Sequence, residues 1–266
     1  MSRARAVQRA GSVNCALAVA GVGLLGLTAC AAEESEERIT VYAAASLQEV
    51  YEEIGELYTE ETGTEVEFSF ASSADLLAQL EQGAPADALV TADTLTMSRA
   101  QEADLVSESP QIFAANTLVL ATPAGNPADI TGVEDLERED VVSVLCAEQV
   151  PCGALSAELT AAAGVEPAPA SEENSVTDVL GKIRSGEADA GLVYATDAQA
   201  AGDEVETIEI DDAEDHLNHY PGAVLDAADS PEAASEFLAF LAMPEVEEVL
   251  AEAGFRTADG ETHGED

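Results

Sequence analysis

Between Ile39 and Thr91 the chain alternates short strand-like runs with helical periodicity, and this alternation restricts the fold more than any other feature. Ile39–Ala43, Glu65–Phe70 and Ala88–Thr91 read as strands, with helices expected over Leu47–Tyr58 and Ala74–Gln82. In the first helix Leu47, Val50, Tyr51, Ile54, Leu57 and Tyr58 repeat at helical spacing and form one apolar face. The order βαβαβ implies a mostly parallel sheet covered by helices on both faces, so the expected class is α/β. A turn at Gly83-Ala-Pro-Ala-Asp87 and a helix from about Leu95 to Glu102 follow.

A second set of elements comes next. Asn116–Ala121 and Val141–Leu145 read as strands around a Pro/Gly/Asn loop at Pro123–Pro127. Helices are expected over Ala154–Ala163 and Val176–Arg184, then strands Gly191–Tyr194 and Thr207–Ile210. The chain returns through Tyr220–Leu225 to helices Glu232–Leu241 and Glu245–Glu252. Ser230-Pro231 fits an N-cap and first helical residue, and Gly254 fits a C-terminal stop.

Two serines occupy matching strand-to-helix junctions. Ser46 ends Ile39-Thr-Val-Tyr-Ala-Ala-Ala-Ser46, and Ser73 ends Val66-Glu-Phe-Ser-Phe-Ala-Ser-Ser73. Each places a hydroxyl beside the free N–H groups of a helix start, where the macrodipole favours an anion. Neighbouring βα units of an open sheet can aim both at one point beyond the strand ends. The plainer alternative is capping: Ser46-Leu-Gln-Glu49 is a capping box, and Ser72-Ser73-Ala74-Asp75 offers two N-caps.

The first residues have the pattern of an export signal. Arg3, Arg5 and Arg9 precede an apolar stretch, Val13–Leu27, that ends in Leu27-Thr28-Ala29-Cys30. This stretch is shorter than the roughly 20 residues of a spanning helix. The pattern resembles a bacterial lipobox, so residues 1–29 are expected to be removed and Cys30 to carry lipid. Ala31–Arg38 then reads as an acidic tether.

Charge narrows the possible partners. From Cys30 onward 54 acidic residues face six basic ones, a formal net of −48. Repulsion excludes nucleic acid and anionic membrane surfaces as partners. The acids are dispersed, and no Asp-x-Asp-x-Asp-Gly calcium loop occurs. A surface of this kind suits high salt, where the Debye length falls to roughly 3 Å near 1 M, and a halophilic, extracytoplasmic origin is expected. Cys146 and Cys152, an even pair outside the reducing cytosol, read as a disulfide. Their five-residue separation differs from a redox Cys-x-x-Cys, which leaves a thiol-redox protein as the reading from another functional class. His216 and His219 could join a metal site but fit a solvated loop better.

Ile39-Thr-Val-Tyr-Ala-Ala-Ala-Ser-Leu47, Phe70-Ala-Ser-Ser-Ala-Asp-Leu76, Gly83-Ala-Pro-Ala-Asp87 and Gly191-Leu-Val-Tyr-Ala-Thr-Asp197, in this order, resemble the molybdate-binding proteins of bacterial ABC importers. The resemblance covers nearly all of the chain beyond Cys30. It implies a two-lobed, type II periplasmic-binding fold with ligand in the interlobe cleft. The expected lobes are residues 31–112 with 220–266, and 113–219. It further implies an oxyanion site of five neutral positions: hydroxyl and N–H donors at Ser46 and Ser73, backbone N–H donors at Cys152 and Val176, and a phenol donor at Tyr194. Cys152 departs from the small alanine usual there. The implied ligand is molybdate or tungstate, carried as cargo rather than held as a cofactor. The implied partner is an ABC permease, with the chain expected as a lipid-anchored monomer and no enzyme.

A donor-only site suits a fully deprotonated tetrahedral dianion, because the proton of hydrogen phosphate would need an acceptor. Sulfate has the same charge and shape in a smaller body, so sulfate or another small anion is the alternative ligand. A carboxylate clamp would need a cation, and midchain only Arg99, Arg138, Lys182 and Arg184 are available.

Overall fold

The computed structural model describes residues 38–106 and 109–260. The expected signal over 1–29, Cys30 and most of the tether lie outside the described residues. In chain order the elements are β1 (Arg38–Ala44), α1 (Gln48–Thr62), β2 (Glu65–Ala71), α2 (Ser73–Glu81), β3 (Ala88–Val90) and α3 (Thr94–Glu102). β4 (Gln111–Asn116), β5 (Leu118–Pro123), β6 (Ser143–Cys146), α4 (Pro151–Ala163), β7 (Ser171–Glu173) and α5 (Val176–Arg184) follow. β8 (Ala190–Tyr194), α6 (Ala195–Ala201), β9 (Val205–Ile208), β10 (Asn218–Val224), α7 (Pro231–Phe240) and α8 (Pro244–Glu252) complete them.

The strands form two five-stranded sheets, ordered β2-β1-β3-β10-β4 and β7-β6-β8-β5-β9. β1, β2 and β3 run parallel, as the βαβαβ order requires, while β10 enters antiparallel between β3 and β4. In the second sheet β6 pairs parallel with β7 and β8, and β5 pairs antiparallel with β8 and β9. The strand expected over Asn116–Ala121 is β5, which begins in the second sheet at Leu118; Asn116 is instead the last residue of β4, a strand of the first sheet that the sequence reading missed. Between them Thr117 is fixed by its hydroxyl, which donates to the carbonyls of Ala213 (2.7 Å) and His216 (3.0 Å). The polar pair Asn116-Thr117 marks the change of sheet, which a strand period extended through it overlooks.

The two cores differ in composition. The first sheet buries Tyr51, Tyr58, Phe237, Phe240 and Phe255, with Phe68, Phe70 and Phe113 packed against them. Tyr58 meets Phe237 and Phe240 edge-on, each with ring centroids 5.2 Å apart. The second core is aliphatic, built from Leu118, Leu120, Leu155, Leu159, Val179, Ile183 and Leu192. Asp87, from the Gly83–Asp87 turn, braces the first sheet. Its carboxylate accepts the N–H of Thr40 (2.7 Å) and of Ser230 (2.9 Å), which ties β1 to the start of α7.

Candidate functional site

Ser46, Ser73, Cys152, Val176 and Tyr194, predicted from separate parts of the sequence, line one small cavity. Ala44, Ala45, Ser72, Ala92, Val150, Pro151 and Ser175 complete its wall. Its volume is about 20 Å³. That exceeds the roughly 10–15 Å³ needed to seat a single water-sized body.

Local structure explains how each residue comes to the wall. Ser72, not Ser73, caps α2: its Oγ accepts the N–H of Asp75 at 3.2 Å and donates to Asp75 Oδ2 at 2.7 Å. This frees the Ser73 hydroxyl one residue later, which is 1% exposed. The expected capping box at Ser46 does not form. A 3-10 turn over Ala45–Leu47 precedes α1, so Ser46 lies inside the turn and neither start carries a side-chain cap. Ser175 caps α5 through the N–H of Asp178 at 3.2 Å, leaving Val176 as the first helical residue. The helix expected from Ala154 begins earlier, at Pro151, because proline suits a first turn that needs no N–H donor. Cys152 therefore sits in the first turn of α4, where N–H groups lack intrahelical partners.

Three helix starts thus meet at the cavity: α2, α4 and α5. Their dipoles supply positive potential, and among the described residues no Lys, Arg, His, Asp or Glu lines the wall. The disulfide between Cys146 and Cys152 is formed, with Cα atoms 5.7 Å apart, and joins the end of β6 to the start of α4. Gly153 packs so closely that a Cβ would lie 1.9 Å from the Ala147 carbonyl oxygen.

Residues that the sequence reading missed complete the network. Ala92 donates its N–H to Ser73 Oγ at 3.0 Å, and Ser46 Oγ lies 3.0 Å from Tyr220 Oη. Asn218 Nδ2 donates to Tyr194 Oη at 2.6 Å. Burial raises the pKa of both phenols above its ordinary value, so Tyr194 and Tyr220 remain protonated donors. The available signal was an asparagine beside each of the two chain crossings between the sheets, Asn116 at the end of β4 and Asn218 at the start of β10, which are register partners.

A larger cavity of about 520 Å³ shares Ser46 with the first but is lined by Glu49, Glu53, Asp197 and Glu252, with Arg184 as its one cation. Its acidic wall disfavours an anion. Burial, and then the field of Glu49, pushes the Asp197 carboxyl up to about 8, against a backbone hydrogen bond from Tyr194 that pulls it down. His216 faces Glu158 at 2.9 Å. Among the described residues no group of three His, Cys, Asp or Glu side chains could hold a metal ion.

Two sheets flanked by helices, whose helix starts and strand ends surround a small cavity lined by no charged side chain among the described residues, define a solute-binding protein. The chain belongs to the bacterial extracellular solute-binding protein family, which matches residues 39–256. It is 38% identical to the molybdate-binding protein ModA of Mycobacterium tuberculosis, over 89% of this chain and 95% of that one. The substrate-binding domain of a putative molybdenum ABC transporter from Clostridium difficile matches with a TM-score of 0.62 and 26% identity, covering 83% of this chain and 98% of that one. The periplasmic molybdate-binding protein of Azotobacter vinelandii matches with a TM-score of 0.70 and 19% identity, covering 82% and 98%. This last likeness establishes the shared type II periplasmic-binding fold.

Proposed function

We propose that this protein captures molybdate, and tungstate with it, for delivery to an ABC importer. The observation that carries this reading is the convergence of Ser46, Ser73, Cys152, Val176 and Tyr194 on one cavity without a charged side chain. In this reading the two serine hydroxyls, the N–H groups of Cys152 and Val176 and the Tyr194 phenol surround a tetrahedral dianion. Hydrogen bonds to a charged group contribute roughly 1.5–3 kcal/mol each, so neutral donors suffice without a cation. The two sheets serve as cores of two lobes, with chain crossings at Thr117 and just before Asn218. The ligand enters between them. Lipid on Cys30 holds a monomer at the extracytoplasmic face of the membrane, within reach of a permease.

Calorimetric titration with molybdate, tungstate, sulfate and phosphate tests the assignment. Molybdate and tungstate should bind at micromolar affinity or better, about −8 kcal/mol, with phosphate silent. Phosphate binding comparable to molybdate would remove the donor-only site. Salt adds a second arm. A chain of net −48 repels a dianion, and screening relieves this while leaving buried hydrogen bonds in place. Affinity should therefore rise from about 0.1 M to about 2 M sodium chloride. A fall over that range would indicate a cationic site.

A further inference from the structure

Asn218 stands one layer behind the cavity wall and is 9% exposed. Its Nδ2 makes two contacts: 2.6 Å to Tyr194 Oη and 3.2 Å to the Pro151 carbonyl oxygen. A carbonyl can only accept, which identifies the atom facing it as the amide nitrogen and not the amide oxygen. An amide nitrogen carries two protons and no acceptor. One proton goes to Pro151, and the other goes to the phenol. Tyr194 Oη must therefore accept from Asn218, and the proton it retains is free to point into the cavity that Tyr194 lines. The same amide grips Pro151, the first residue of α4, whose next residue is Cys152.

We infer that Asn218 is a specificity-determining positioning residue, which fixes the Tyr194 phenol as an obligatory donor toward the bound anion. The inference rests on the oxyanion reading above. A phenol free to rotate can offer either a proton or a lone pair, and a lone pair is what a protonated oxyanion requires. With Asn218 in place the second option is closed. The residue thus acts against hydrogen phosphate as much as for a bare dianion. Ser73 is held alike by the Ala92 N–H. Asn218 is the one of these two partners that a side-chain substitution can remove.

The test is a double-mutant cycle on the full chain, with molybdate and phosphate as probes. Asn218→Leu removes the donor without adding charge, and Asn218→Asp replaces it with an acceptor that takes the phenol proton. Each should weaken molybdate binding at least tenfold, Asn218→Asp more, and narrow the molybdate-to-phosphate affinity ratio. In a Tyr194→Phe background the further loss from Asn218→Leu should shrink to less than about threefold, since the group it positions is gone. Either substitution suffices alone if the other lowers the melting temperature below the assay temperature. Unchanged affinity in folded variants would overturn the inference and leave the function intact. So would an undiminished loss in the Tyr194→Phe background. Wild-type protein that ignores molybdate would overturn both.

Discussion

The two sheets contribute to the cavity in different ways. The first sheet contributes side-chain hydroxyls, Ser46 paired with the Tyr220 phenol and Ser73 accepting the Ala92 N–H, in front of an aromatic core. The second contributes Cys152 and Val176 from the first turns of α4 and α5, and in the proposed reading their backbone N–H groups are the donors, aimed by where those helices begin. It adds one phenol, Tyr194, from the end of β8. A hydroxyl can be re-aimed by rotating one bond, whereas an N–H can be re-aimed only by moving a helix. The second sheet accordingly carries the stiffer fixtures: the Cys146–Cys152 disulfide and the contact of Gly153 with the Ala147 carbonyl.

The sharpest way to break this contrast is Gly153→Ala. The new Cβ would lie 1.9 Å from Ala147 O and 2.9 Å from Cys146 O, both backbone atoms beside the disulfide. Relief requires shifting the start of α4, and overpacking of this kind costs about 1–3 kcal/mol, with so close a backbone contact at the upper end. Stability in urea should fall by that amount, and the Cys152 N–H should leave its place, so molybdate binding falls as well. Wild-type stability and affinity in this variant would mean that the wall is not rigid.

On the first sheet the effect should appear in affinity more than in stability. Ser46→Ala removes a hydrogen bond to a charged ligand, a loss of about 1.5–3 kcal/mol in binding, and a neutral bond to Tyr220 that contributes about 1 kcal/mol to the fold. Ser73→Ala should weaken binding to the same extent but also strands the Ala92 N–H, so its stability cost is larger. Ser46 is the cleaner probe. A lowered melting temperature with unchanged affinity for Ser46→Ala would make it a purely structural residue.

How much of this was legible in the sequence follows the same division. Groups that depend on secondary structure alone were readable. Ser73 and Val176 announce themselves as helix starts, and the βαβαβ alternation places α1 and α2 within a few residues of their observed bounds. The pairing of Cys146 with Cys152 followed from their being the even pair left after Cys30. Long-range geometry was not readable. Nothing local indicates that Tyr220 reaches Ser46, 174 positions earlier, or that Asn218 reaches Pro151, 67 positions earlier. The reading also missed β7, whose three residues Ser171–Glu173 carry no apolar alternation because they form a sheet edge. It missed α6, whose seven residues are too short for a helical period to emerge.

The smallest expected effect concerns Asp197, which follows Tyr194 by one turn and sits between the two contributions. Its Oδ2 is buried without a hydrogen-bond partner, and its pKa is raised from 3.8 to about 8, by burial and then by Glu49 across on α1. The native state therefore binds a proton that the unfolded chain has already released. Its stabilising share is complete below the unfolded value and is lost as pH rises from about 4 to about 8, then stays constant. Asp197→Asn removes that dependence. The stability difference, variant minus wild type, should grow across this window and level off at about 1–2 kcal/mol, a figure reduced for the residue's partial exposure. Taking the difference cancels the titration of the other carboxylates, which both proteins share. Binding gives a second readout, because Asp197 lies one helical turn after Tyr194, which lines the cavity at the end of β8. Molybdate affinity should fall in the wild type as pH passes about 8 and stay level in the variant. A stability difference that is flat with pH would show Asp197 already ionised in the native protein. The carboxyl would then be solvated by water in the larger cavity that Glu49 and Asp197 both line.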